Sequence, residues 1–219
     1  MEWTWFPIKL SFFIATIATV ITFFVAVLFA HIMVTRRVRM KPLVETFFFL
    51  PLVLPPTVIG FMLVIVFGKN SPFGRFIEYI VGSSIMFTAT AAVLASATVA
   101  FPLMYQSVKT GFISIDENIV GAAKVDGAST IKILLFISLP LSIRSITAGV
   151  ILSFTRAFGE FGATLMFAGN IPEVTQTIPT VIYLAIESGN VNLAWKYVGI
   201  SIFISFLLLF SINQTNRQN

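Results

Sequence analysis

From Ile8 to Thr35 the chain runs almost without interruption through apolar residues, with Lys9 near one end and Arg36, Arg37, Arg39 and Lys41 just past the other. At the helical rise such a run reaches about 42 Å, enough to cross a hydrocarbon core of about 30 Å with some tilt. A removable leader is the competing reading. It is weaker because the run is too long, a small-residue cleavage site is missing, and the basic cluster follows the run instead of preceding it. We read an uncleaved first membrane span with its N-terminus outside.

The rest of the composition agrees. Of 219 residues, 57% are hydrophobic and only 11% charged, against about 25% charged in an ordinary soluble domain. One compact membrane domain over residues 1–219 follows, solvated by the lipid bilayer. There is no cysteine, which excludes disulfides, thiolate metal sites and thiol nucleophiles. The lone histidine, His31, leaves little for a metal cluster or a catalytic dyad and reads as an interfacial residue. A net charge of +5 raises the question of nucleic acid, but the basic residues are distributed as orientation signals, so no nucleic-acid partner is expected.

Four further spans are expected. Thr46 to Phe67 carries no charge but holds Pro51, Pro55 and Pro56, which remove N–H donors and bend the helix; the break reads either as packing or as the lining of a path. Gly68 to Gly82 reads as a short polar connection. Ser83 to Val108 is rich in Ala, Ser and Thr, the small residues that helix interfaces use in lipid. Ile133 to Thr155 is kinked by Pro140 and carries Arg144 near its basic end, where it can snorkel. Thr175 to Ser188 is too short to cross and reads as an outer or re-entrant helix. Leu193 to Ile212 is the last span. With about five spans alternating, Arg36, Arg37, Arg39, Lys41, Lys109, Lys124, Lys132 and Arg217 share one side, which the positive-inside rule makes cytoplasmic. The C-terminus falls on that side too.

The polar stretch from Asp116 to Pro140 lies between two apolar runs. Asp116 can cap a helix whose first turn holds Glu117, since carboxylates there meet orphan N–H groups and the positive end of the dipole. Asn118 to Val125, Lys124 among them, follows with helix-tolerant residues, Asp126 comes next, and Gly127 breaks the helix by taking a backbone conformation other residues avoid. A second helix starts near Ser129 and runs to Pro140. Small residues at Gly121, Ala122, Ala123, Gly127 and Ala128 let another surface approach the backbone. The segment 116–132 has the shape of a docking knob.

The spacing of Ala122, Ala123, Gly127, Ile137, Leu139 and Pro140 resembles the cytoplasmic loop signature EAA-x3-G-x9-I-x-LP of binding-protein-dependent ABC importer permeases. Gly121 stands where that signature has Glu, which removes one polar contact and leaves the register intact. LPLVLPPT around Pro51 to Pro56 resembles the second-span sequence of molybdate and sulfate permeases, and the run from Arg156 through Glu160 and Thr164 to Pro172 resembles the RxxGEFGATxxxxxNIP segment of molybdate-type permeases. The resemblance implies an all-α type I importer fold and a coupling helix seated in a cleft of an ATPase subunit. It also implies a homodimeric pore, two ATPase subunits on the cytoplasmic side, an extracytoplasmic oxyanion-binding protein, and ATP-Mg on the partner with no cofactor in this chain. The solute it implies is a tetrahedral oxyanion: molybdate first, tungstate or sulfate behind it.

Arg156 and Glu160 are four residues apart, so on one helix they would share a face and pair. Buried in a membrane, such a pair is either a structural clamp or part of a path. Pro55, Pro56, Arg156, Glu160 and Thr164 are the path candidates. An intramembrane hydrolase would need a nucleophile with its base, or paired metal ligands, and Glu160 with one histidine does not supply them. No G-x-x-x-x-G-K-[ST] loop is present to cradle phosphates. A passive channel would have no need of a coupling segment.

Overall fold

The computed structural model describes residues 3–36 and 38–217, with side chains to 210. Arg37 and the side chain of Arg217, counted above among the orienting charges, lie outside the described residues. The described residues are helical with no strand.

Helix α1 (Phe6–Thr35) is 30 residues long and starts with Pro7 at a position whose N–H would be unpaired anyway. It packs along α5 (Ala89–Ile113), a helix against which several others also pack. The seam is built of small side chains: Ala15, Ala18, Ala26 and Ala30 of α1, and Ala91, Ala92, Ala95 and Ala100 of α5, are fully buried. In lipid, close backbone approach supplies the dispersion contact that hydrophobicity cannot. Helix α9 (Ile143–Phe158) packs on α5 as well. A Cβ on Gly149 would stand 2.6 Å from Ser107 Cβ, and one on Gly111 2.8 Å from Ser142 Cβ.

The expected second span is two helices. Helices α2 (Lys41–Val53) and α3 (Pro56–Phe67) meet at 115°. The cause is local. Leu54 and Pro55 each precede a proline, which disfavours helical geometry for the preceding residue, and both are extended with ψ of 145° and 136°. Two such residues in succession turn the chain where a single proline would only kink it.

The stretch read as a polar connection contains a helix, α4 (Pro72–Val81), of ten residues. Ser71 Oγ accepts from Gly74 N at 2.7 Å, Pro72 opens the first turn, and Gly82 closes the helix at φ +77°. The Gly, Ser and Pro that suggested a loop are its caps. Residues 83–88 are not helical. Thr88 caps α5 through Ala91 N at 3.2 Å, so that helix starts and ends later than the expected 83–108 span.

The stretch expected as one helix from Ile133 is also broken. Helix α7 (Thr130–Ile133) passes through a π-turn (Leu134–Ser138) into α8 (Leu139–Leu141), and the direction changes by 77° at α9. Pro140 has no N–H for the carbonyl a turn earlier, and a widened turn just before a proline relieves that defect. Beyond α9 come α10 (Gly162–Ala168), α11 (Ile178–Glu187) and α12 (Val191–Arg217). Helix α11 is tied to α1 by Ile178 N donating to Ser11 Oγ at 2.9 Å. Tyr197 of α12 donates to Thr4 O at 2.8 Å and stacks on Trp3.

Candidate functional site

The polar segment projects from the helices as two short helices joined by a glycine turn. Helix α6 (Glu117–Val125) is nine residues long, with Asp116 Oδ1 accepting from Asn118 N at 2.8 Å, Glu117 in its first turn and Lys124 in its last. Both charges suit the dipole. Asp126 N and Ala128 N return to Ala122 O at 3.0 Å and Ala123 O at 2.9 Å, while Gly127 sits at φ +80°. A Cβ there would meet nothing within 4 Å, so the glycine answers a backbone requirement, not a crowded neighbour. Ser129 Oγ then caps α7 through Lys132 N at 3.4 Å.

Burial divides the candidate residues into a tip and a root. Asp116, Glu117, Ala122, Lys124, Asp126 and Gly127 are exposed, with Gly121, Ala123 and Ala128 half-buried. Val125 is 87% exposed and Ile131 69% exposed, so apolar side chains stand among small ones on the outer surface. Ile137 and Leu139 are half-buried in the π-turn and α8, and Leu139 packs on the core with Met104 and Ile146. These two and Pro140 join the projection to α9; they do not form its tip. Behind α6 lies a cleft of about 520 Å³, lined by His31, Lys41, Glu117, Lys124 and Ser138.

The path candidates meet at the break after α9. Arg156 Nη1 donates to Glu160 Oε2 at 2.6 Å, and Ala163 N donates to Glu160 Oε1 at 2.8 Å. The spacing suggested a shared helix face. Instead α9 ends at Phe158, and Glu160 lies in the link that opens α10, where its carboxylate accepts from the Ala163 N–H in that helix's first turn. The Glu160 side chain is 1% exposed, and each of its oxygens has a donor, which is what a buried charge in lipid requires. Thr164 is fully buried in α10, and its Oγ1 has no partner.

Helix α10 seats α3 at close range. A Cβ on Gly162 would lie 3.0 Å from Pro56 Cβ, and one on Gly60 2.6 Å from Met166 Cβ. Pro55 and Pro56 themselves are exposed at the elbow between α2 and α3. Arg156, Glu160, Gly162 and Pro56 therefore form one continuous chain of contacts, from the end of α9 through α10 to the elbow.

A second charged group joins α2 to α5. Glu45 Oε1 takes a salt bridge from Lys109 Nζ at 2.6 Å and a hydrogen bond from Tyr105 OH at 3.0 Å. Sequence reasoning placed Lys109 only as a flanking charge and passed over Glu45. The available signal was that Tyr105 and Lys109 lie four apart on one helix face, facing the single acid that opens an otherwise uncharged stretch.

Comparison with known proteins gives this geometry its family. The chain is 55% identical, over 95% of its length and 92% of the relative's, to the permease protein YvgM of Bacillus subtilis (strain 168), which is named for molybdenum transport. It is 38% identical, over 83% of its length and 79% of the relative's, to the molybdenum transport system permease protein ModB of Haemophilus influenzae. Its fold matches a chain of the bacterial alginate ABC transporter crystallised with its alginate-bound periplasmic protein, with a TM-score of 0.75, 16% identity, and coverage of 97% of this chain and 78% of that one. Residues 23–216 match the family described as the binding-protein-dependent transport system inner membrane component, and the chain belongs to that family.

Proposed function

We propose that this chain is the permease subunit of an ATP-driven importer that carries molybdate into the cytoplasm, and that residues 116–132 are where its ATPase docks. The carrying observation is that the signature residues Ala122, Ala123 and Gly127 lie together at the outer helix end, Ala122 and Gly127 exposed and Ala123 half-buried, in a chain whose relatives are molybdenum permeases. Two copies of the chain would enclose the path. Two ATPase subunits holding ATP-Mg would sit on the cytoplasmic side, with an extracytoplasmic binding protein delivering the oxyanion from the side of the N-terminus.

The arrangement of elements supports a mechanical role for the segment. Force on α6 and α7 passes through the π-turn and α8 into α9, because Ile137, Leu139 and Pro140 lie in that connection. Helix α9 delivers it at the other end to Arg156, Glu160 and α10, and α10 holds α3 through Gly60 and Gly162. Closure of the ATPases would then move the elbow at Pro55 and Pro56 as a rigid-body switch. The solute path needs only weak polar contact, since specificity belongs to the binding protein.

Substitution Ala122→Arg tests the docking role. It places a charged side chain on an exposed helix without touching the core. Loss of ATPase co-purification and of molybdate uptake, with an unchanged unfolding temperature, is the expected outcome. Normal assembly and uptake would exclude the segment as the docking site. Uptake of sulfate or another solute in place of molybdate would keep the importer and change its cargo.

A further inference from the structure

Helix α4 has two unlike faces. Viewed down its axis, Phe73, Phe76, Ile77 and Ile80 fall within about 100° of arc, and Arg75 and Glu78 lie opposite them. Phe76 is 60% exposed and Ile80 65% exposed, so no element among the described residues covers the centre of the apolar face. On the other face Glu78 Oε1 takes a salt bridge from Lys69 Nζ at 3.7 Å.

The first turn of α4 fixes its place in the fold. Gly74 is the buried residue of the helix. A Cβ there would stand 2.7 Å from Phe67 O and would overlap Gly68 O, so α4 lies hard against the end of α3. The Phe73 ring meets Phe67 edge-on at 5.2 Å. Gly68 in turn lies beside Met86, just before the start of α5. Helix α5 is 25 residues long, or about 37 Å, enough to cross the hydrocarbon. Its other end leads into the projecting segment. Helix α4 therefore sits at the membrane boundary opposite that segment.

We propose that α4 lies in the bilayer interface, with Phe73, Phe76 and Ile80 among the lipid acyl chains and Arg75 and Glu78 toward water. The apolar surface is continuous with that of α3, where Phe61, Met62, Ile65 and Val66 are exposed on half of a membrane span. Tyr79, exposed at the edge of the face, is the amphipathic aromatic residue that this depth favours. A protein arriving from water would meet the side of Arg75 and Glu78, not the apolar one. Because Gly74 clamps α4 to α3, the helix moors the end of α3 remote from the Pro55–Pro56 elbow in the plane of the bilayer. This mooring stands whether or not residues 116–132 dock an ATPase.

Spin labels on the full-length chain in phosphatidylcholine nanodiscs test the placement, since the chain has no cysteine of its own. Arg75→Cys, Phe76→Cys and Ile80→Cys each receive a nitroxide. Each label is then relaxed by oxygen, which concentrates in lipid, and by nickel ethylenediaminediacetate, which stays in water. The labels replacing Phe76 and Ile80 should respond to oxygen and be spared by nickel, with the order reversed for the label replacing Arg75. All three side chains are exposed, so the variants should unfold at the wild-type temperature. Nickel reaching all three labels equally would put the apolar face in water and overturn the proposal. Shielding of the Phe76 and Ile80 labels from both reagents would overturn it too, because a protein would then cover the face. Dipolar broadening between Phe76 labels would identify that protein as a second copy. Shielding that arises only on adding an oxyanion-binding protein would assign the face to that partner, with the same consequence.

Discussion

Lys109 Nζ lies 2.6 Å from Glu45 Oε1, across the boundary between α5 and α2. The same oxygen accepts from Tyr105 OH, so one carboxylate gathers two donors a turn apart on α5. This is the one ion pair among the described residues that fastens the α2–α3 elbow to the central helix. Removing either charge strands the other in a partly buried place, and the two substitutions should not add. A double-mutant cycle of Glu45→Gln and Lys109→Met, read by thermal unfolding in lipid nanodiscs, should give a coupling of about 1–3 kcal/mol. Additive effects would mean the pair is solvent-screened and holds nothing.

Glu160 is more deeply placed, and both of its oxygens are used. Glu160→Ala removes the partner of Arg156 and the acceptor for Ala163 N together, and should cost about 3–5 kcal/mol. Arg156→Lys keeps the charge but not the planar fork, and should retain part of the stability. Comparing unfolding temperatures of the two variants checks this order. Equal, small losses would show that the contact is incidental.

The α5–α9 crossing should resist any side chain at Gly149. A Cβ there would overlap Ser107 Cβ at 2.6 Å, so Gly149→Val should separate the helices and destabilise the protein by about 1–3 kcal/mol. Ser107→Gly combined with it should recover part of the loss, measured in the same unfolding assay. Absence of rescue would mean that strain lies elsewhere in the crossing.

At Gly127 the requirement is conformational. With φ at +80° and open space around it, Gly127→Ala should cost about 1 kcal/mol of local stability. Hydrogen exchange should rise in residues 117–133 and remain unchanged in α5. Uniform exchange across the protein would place the effect in the core instead.

These contrasts also mark what the sequence made legible. The Asp116 cap, the glycine turn and the Ser129 start were readable because each depends on neighbours within four residues, and the structure forms all three. Pro55 and Pro56 announced a break but not its 115° angle, which depends on two consecutive residues being forced into extended geometry. Helix α4 was missed because its capping Ser71, Pro72 and Gly82 look like loop residues when taken singly. Glu45 escaped because its partners lie 60 or more residues away, and no local rule connects them. Arg156 and Glu160 were paired for the right spacing and the wrong local structure, since the helix ends between them.

The central claim is that residues 116–132 couple an ATPase to molybdate import. The direct measurement is ATP hydrolysis by this chain reconstituted in lipid with an importer ATPase subunit and an oxyanion-binding protein, with and without molybdate. Stimulation by the molybdate-loaded binding protein, abolished by Ala122→Arg, is the predicted result. Undiminished stimulation in that variant, or failure of the wild-type chain to assemble with the ATPase, would contradict the account.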